Sequence, residues 1–359
     1  MQRAGGVKYT LLDRLNGDSV ILPFFKVLPL VAITASFVAA QQPALIVLNK
    51  AEATASLISL ADGRTIATFP VGDQPHEVTV SPDGRRAVAA NYGTGPSPGR
   101  TLTVMDLRSG KVERTIDLGE YRRPHGIAFL PGGRRVLVTS EQNQALLVVD
   151  VTTGRVERAI RTNVAGTHLF VLSKDGRRAW VSNIGAGSNS LVDLERGEVL
   201  KTVATGRAPE AIDLSPDGRE VWVGDGQLDR VMVLDAGTLD SLATMPAGGR
   251  PNRVRFTRDG RWVFVSNIRS GTLGVYEART RKLVETIVFP ADSSRPPSAA
   301  ATALGSLTAP EGILLAPDGR RVWVALNSSD RIAEIDIETR MIVRYIETGR
   351  GPDGMGYVP

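Results

Sequence analysis

The 359-residue chain contains no cysteine. That absence excludes disulfides, thiolate nucleophiles, Cys-ligated zinc or iron–sulfur centres, c-type heme attachment and a lipidated amino-terminal Cys. Aromatic residues make up only 5%, and nowhere are they interleaved with basic residues as a stacking surface for nucleic acid requires. Lys and Arg form no block of the kind that marks a nucleic-acid arm. Charges of both signs are interspersed at a net +5, as on an ordinary solvated surface, so nucleic acid is not the expected partner. No G-x-S-x-G elbow, HExxH, P-loop or dinucleotide fingerprint occurs. Histidine is reduced to three residues, His76, His125 and His168.

What remains is rich in turns. Gly 37 and Pro 21 stand beside 42% hydrophobic residues, enough for a sizeable core and unlike a disordered composition. At the amino terminus, Lys26 precedes the apolar run Val27 to Val38, followed by Ala39-Ala40-Gln41, with small residues Val38 and Ala40 where a signal peptidase would cut. The run is about half the roughly 20 residues a spanning helix needs and contains Pro29. Residues 1–40 are therefore expected to be a leader and signal peptide, leaving a periplasmic or secreted chain without a transmembrane anchor. Their removal takes away four basic and two acidic residues, so the mature charge is +3.

One phrase recurs through the rest: Ser81-Pro82-Asp83-Gly84, Pro131-Gly132-Gly133, Ser173-Lys174-Asp175-Gly176, Ser215-Pro216-Asp217-Gly218, Thr257-Arg258-Asp259-Gly260 and Ala316-Pro317-Asp318-Gly319. Asp-Gly between alternating apolar residues is a hairpin signal. Before each turn comes a second marker, a Gly, then usually a Pro, then one polar residue opening a strand. Its seven copies end at His76, His125, His168, Glu210, Asn252, Glu311 and Asp353, spaced 49, 43, 42, 42, 59 and 42 residues apart. A period near 42 is the length of a four-stranded propeller blade. Residues 44–359 are thus predicted to be one all-β domain, a seven-bladed β-propeller of four-stranded antiparallel blades. Asp353 opens an inner strand without a blade, while Ala44 to Pro70 supplies three strands without an inner strand. One blade shared between the two termini closes the ring and hides the sheet edges.

The phrases Trp180-Val181-Ser182-Asn183 and Phe264-Val265-Ser266-Asn267, with the recurrent Ser-Pro-Asp-Gly-Arg, resemble the YVTN repeat of the YncE-like seven-bladed propellers over essentially residues 44–359. The resemblance implies a secreted or periplasmic binding protein, with some relatives described as DNA-binding and others found beside metal or redox systems. Related seven-bladed families include lactonases, and the gluconolactonase type holds a divalent cation on the channel axis with Glu, Asn and Asp.

All three histidines fall at one repeat position, and the inner strand of each blade lines the channel, so the seven residues at that position form a ring at its mouth. Two readings of this ring stay open. His76, His125, His168, Glu210, Glu311 and Asp353 have the chemistry to ligate one divalent transition metal or Ca; alternatively, they are a solvated polar ring that caps the turns. Arg122, Arg123, Arg207, Arg250 and Arg350 lie in the loops of the same face and, with Asn252, are candidates to bind a small anionic ligand. Two insertions, Gly93 to Arg100 and Pro290 to Ala309, are expected on this face, the second as a mobile lid. The four tryptophans, Trp180, Trp222, Trp262 and Trp323, fall in second strands and read as core.

Two functions compete on this evidence. One is a monomeric binding or scaffold propeller for a protein partner or small anionic ligand. The other is a metal-assisted hydrolase of the lactonase type with Glu210 and Glu311 as acid–base residues. A heme-d1-type electron-transfer propeller ranks third, because those domains have eight blades and the repeat count here is seven.

Overall fold

A computed structural model of the chain describes residues 42–291 and 299–359. The signal-peptide expectation, on residues 1–40, and part of the second insertion lie outside the described residues. No helix among the described residues is long and apolar enough to cross a membrane.

The described residues form seven four-stranded antiparallel sheets. Their inner strands are Pro75–Val80 in blade 1, Pro124–Phe129 in blade 2, Thr167–Leu172 in blade 3, Pro209–Leu214 in blade 4, Pro251–Phe256 in blade 5, Pro310–Leu315 in blade 6 and Pro352–Val358 in blade 7. As the repeat count requires, Pro352–Val358 pairs with Ala44–Asn49, whose blade is completed by Thr54–Ser59 and Thr65–Pro70.

Each strand's composition follows from its place in the blade. The third strand of blade 2, Ala145–Asp150, is buried throughout, because both of its faces meet a neighbouring blade. The outer strand Lys111–Asp117 alternates exposed and sheltered residues, as a half-solvated edge does. Val88, Leu102 and Val104 of blade 1 pack against Val136, Val138 and Leu147 of blade 2, and similar clusters fill the other interfaces. Burying each such side chain contributes about 1.5–3 kcal/mol.

The recurrent phrases have local causes. Gly84 adopts φ 68° in the turn, and the Asp83 carboxylate accepts the Ser81 hydroxyl and the Arg85 N–H at 2.6 and 3.0 Å. At the other end of the second strand, buried Asn91 donates to the hydroxyls of Thr101 and Thr103 at 2.9 and 3.0 Å. Trp180, Trp222 and Trp323 are core residues, whereas Trp262 is half-buried and lies against the guanidinium groups of Arg261 and Arg340, 4.7 and 4.4 Å from its ring centre.

Candidate functional site

The seven ring residues are each the second residue of an inner strand, and the fold brings them together. From His76 to Asn252 neighbouring members approach one another in sequence around the channel. The ring centres of His76 and His125 are 4.9 Å apart, and those of His125 and His168 are 3.9 Å apart. His168 Nε2 lies 3.9 Å from Glu210, and Asn252 donates to Glu210. Glu311 and Asp353 meet through one ammonium, Lys50 Nζ, at 2.6 and 3.2 Å.

Five of the seven ring residues are buried, His125 at 2% and Asp353 at 1% exposed, while His76 and Glu210 are half-buried. The ring's charges are therefore compensated inside the protein. Arg253, the residue after Asn252, reaches across the channel to Glu77 of blade 1, with Glu210 of blade 4 and Asp353 of blade 7 at 3.5 and 3.7 Å. Room for that guanidinium comes from the same register in other blades, where Gly126, Gly312 and Gly354 carry no side chain. A Cβ on Gly312 would stand 2.1 Å from the Asp353 carbonyl oxygen, so the inner strands close in only because those residues are glycine.

The three histidines differ electrostatically. Burial, assisted by the Lys50 charge, lowers the pKa of His76 to about 3. Its Nδ1 lies 2.7 Å from the Gln74 carbonyl oxygen; since a carbonyl only accepts, Nδ1 carries the proton and Nε2 the lone pair. Burial and the neighbouring His168 hold His125 well below the usual range, and its buried Nδ1 has no partner. Burial also opposes charge on His168, yet Glu141, 2.8 Å from its Nδ1, and Glu210 outweigh it and raise its pKa to about 9. The ring thus holds two neutral imidazoles beside an imidazolium. Burial, opposed by Lys50 and reinforced by Asp353, pushes the Glu311 carboxyl up to about 8.

These arrangements bear on the expected metal centre. Among the described residues, no three of His, Asp and Glu are grouped to hold a metal ion. Glu311 and Asp353 are taken by Lys50, Glu210 by Asn252 and Arg253, and His168 by Glu141. The same engagements occupy Glu210 and Glu311 as candidate acid–base residues.

The arginines divide. Arg123 donates to the Tyr92 hydroxyl at 2.9 Å; Arg122 bonds the Gly119 carbonyl; Arg350 pairs with Glu52 at 3.0 Å. Arg207 and Arg250 flank Glu210 and Asn252 in the preceding loops, and the Arg250 charge acts on Glu210. Asp213 and Arg255, a pair suggested by their equivalent inner-strand positions, attract each other, but Asp213 accepts the Phe256 N–H at 2.8 Å while Arg255 donates to backbone carbonyls.

The first insertion and the described part of the second lie on this face. The first extends the hairpin between the second and third strands of blade 1, pairing Gly93 with Pro98, and it carries Tyr92 over the histidines, 4.6 Å from the His76 ring and 5.2 Å from that of His125. Tyr92 in turn donates to Glu141 at 3.1 Å. The described part of the second insertion is not a free lid. Its helix, Ala299–Leu304, leads into a segment tied to blade 6 by the Asn327 N–H on Ala309 O and the Ser328 N–H on Thr308 O, at 3.0 and 3.2 Å. Larger clefts of about 920 and 1010 Å³ open on the opposite face among the Asp-Gly turns, where Asp175, Asp217 and Asp259 are occupied by their own turns.

Sequence reasoning missed Lys50, Glu77, Tyr92, Glu141 and Arg253. One signal was available: Glu77 and Arg253 are the only charged residues at the third inner-strand position, and they have opposite signs.

Comparison with known proteins decides the family. A family model described as the cytochrome D1 heme domain matches residues 135–357, more than half of the chain. The chain belongs to the cytochrome D1 heme domain family. This replaces the YVTN-repeat family that the repeat phrases resemble, and seven blades do not set the chain apart from heme-d1-type domains as the blade count had suggested. Within this family, Protein NirF of Pseudomonas aeruginosa is 28% identical over 149 residues, 38% of this chain and 36% of NirF. The matched stretch thus spans about a third of that relative. Kuenenia stuttgartiensis hydrazine synthase superposes with a TM-score of 0.64 at 18% identity, covering 77% of this chain and 87% of that one, a likeness of fold alone.

Proposed function

We propose that this D1-family propeller is a periplasmic binding protein that holds an iron tetrapyrrole on its histidine face, with His76 as axial ligand. The observation that carries the reading is the state of His76. It is neutral through the physiological range, its Nδ1–H is spent on the Gln74 carbonyl, and its Nε2 lone pair accepts no hydrogen bond among the described residues. A second-shell bond from the remote ring nitrogen to a carbonyl is how metal-ligating histidines are oriented. One imidazole suffices for a heme iron, so the engaged carboxylates that disfavour a three-ligand centre do not count against it. Tyr92, tilted 42° to the His76 ring and edge-on to that of His125, adds an aromatic side chain beside the cluster, and Arg207 and Arg250 offer cations on the same face for acidic groups. A bound heme supplies a redox-active iron; the residues around it orient His76 and exclude water from its remote side.

The test is a spectroscopic titration of the mature protein with ferric protoporphyrin IX. Saturable binding with an imidazole-ligated Soret spectrum, lost in His76→Ala and kept in His168→Gln, is the expected result. Binding with an unchanged spectrum in His76→Ala overturns the ligand assignment, and no saturable binding returns the protein to a binding or scaffold propeller without heme. Export is tested separately by the mass of protein from the periplasmic fraction, which should begin near Gln41.

A further inference from the structure

The cleft of about 1010 Å³ on the face opposite the histidines lies between the Asp-Gly turns of blades 5 and 6, and Trp262 lines it. In five of the other six blades the second strand opens on a charged residue, Arg86, Arg135, Arg178, Glu220 or Arg321; in blade 5 it opens on Trp262. Packing does not require an aromatic there, since the ring is only half-buried. The indole N–H groups of Trp180 and Trp222 donate to the Ala236 carbonyl and to Glu220 at 2.8 and 3.0 Å, whereas that of Trp262 donates to no described residue. A large amphipathic ring with an unspent N–H on the wall of an open cleft is a recognition feature.

The two guanidinium groups over this ring are held unequally. Arg340 donates from Nη1 to Glu285 at 2.9 Å. Arg261 is exposed, and among the described residues no hydrogen bond or ion pair engages its guanidinium; only its backbone N–H is spent, on Asp259. Stacking on an exposed ring is a weak hold, so a ligand can displace Arg261 from the indole.

The charges of the cleft cancel, four arginines against four carboxylates, so neither an anion nor a cation is selected. Hydrogen-bonding groups of both kinds stay unspent. Arg258 gives one Nη to the Pro317 carbonyl at 3.3 Å, and the Arg320 guanidinium and the exposed Glu338 carboxylate engage no described residue. Asp318 accepts only the Arg320 N–H, at 2.9 Å, because Ala316 stands where four other turns carry a Ser or Thr hydroxyl bonded to their Asp. The cleft of about 920 Å³ between blades 3 and 4 is equally balanced in charge, but its Trp180 is 4% exposed and offers no ring face.

From this we infer that the cleft between blades 5 and 6 binds a neutral saccharide. The C–H face of one sugar ring lies on Trp262 in place of Arg261, and its hydroxyls accept from Arg258, Arg320 and the indole and donate to Glu338 and Asp318. The site is on the opposite face from the histidines and does not depend on the heme-binding reading.

The experiment is calorimetric titration of the mature protein with chitotriose, maltotriose and cellotriose, all neutral, together with acrylamide quenching of tryptophan fluorescence. Trp180, Trp222 and Trp323 are at most 4% exposed, so quenching reports Trp262. At least one trisaccharide should bind saturably, with a Kd of about 1 mM or tighter, and protect Trp262 from acrylamide. Trp262→Ala should weaken that binding at least about tenfold and Glu338→Ala about threefold, while Lys174→Ala, in the cleft between blades 3 and 4, should leave it unchanged. Circular dichroism checks the fold of Trp262→Ala, and Glu338, being exposed, gives a variant that misfolding does not confound. Absence of saturable binding of all three at about 10 mM overturns the inference. An affinity unchanged in Trp262→Ala and Glu338→Ala, or lost equally in Lys174→Ala, also overturns it. Binding of sialyllactose, which carries a carboxylate, about tenfold more tightly than the neutral sugars would overturn it as well.

Discussion

Arg253 and Glu77, 176 residues apart in sequence, form an ion pair across the propeller channel. Blades 5 and 1 stand nearly opposite each other, so this pair spans the channel. With its side chain 4% exposed, Arg253 is the counter-charge of Glu77 and adds to His168 at Glu210 and to Lys50 at Asp353. Solvent exchange does not screen a pair this deeply buried.

Arg253→Met leaves Glu77 without its cation and removes part of the compensation of Glu210 and Asp353. The expected cost is about 3–5 kcal/mol of unfolding free energy, measured by urea denaturation. Adding Glu77→Gln should recover part of the loss, and full additivity of the two substitutions would show that the pair does not couple.

Two adjacent histidines should respond oppositely to the same change. His125 is neutral with an unpartnered ring nitrogen, so His125→Leu removes an unsatisfied polar atom and should shift stability by less than about 1 kcal/mol. His168→Leu strips the imidazolium from Glu141 and Glu210 and should cost about 3 kcal/mol. Equal losses in the two variants would contradict the charge assignment.

Stability should fall on the alkaline side. His168 has a folded pKa of about 9 against an ordinary 6.5, so its contribution is complete below about pH 6.5 and is lost as pH rises through 9. Glu311, raised from 4.5 to about 8, acts in the same direction at lower pH. The unfolding free energy from urea titration should drop between pH 6.5 and 9 by at least about 3 kcal/mol, and His168→Gln should flatten that slope.

Gly312→Ala tests the close approach of the inner strands. The new methyl would meet the Asp353 carbonyl oxygen at 2.1 Å, a backbone atom that has no rotamer to escape into. A loss of at least about 3 kcal/mol is expected. Gly218→Ala meets no atom within 4 Å and carries only the strain of its φ of 76°, so it should cost about 1 kcal/mol.

Much of the site was legible because a propeller turns sequence register into position. Once His76, His125, His168, Glu210, Asn252, Glu311 and Asp353 aligned, rotational repetition placed them on one circle, and the structure keeps them there. What they do in that circle was not legible. The register says that Glu311 and Asp353 are near each other; it does not say that Lys50, arriving from the amino-terminal strands of the shared blade, lies between them. Nor does it reveal that Tyr92 rides on a lengthened hairpin over His76, since an insertion's conformation depends on what it packs against. The blade count was correct, yet it argued against the family to which the chain belongs, because the number of blades is a property of closure and not of the bound group.

The sequence by itself determined the seven-bladed ring, the closing blade shared by the termini, and the confinement of all histidine to one face, since each is written in short-range patterns that repeat every 42 residues or so. Only the tertiary structure decided which of those histidines is charged and that Arg253 spans the channel to Glu77. Protonation in a buried ring depends on distances of 3–4 Å between side chains from different blades, and no repeat period encodes such distances.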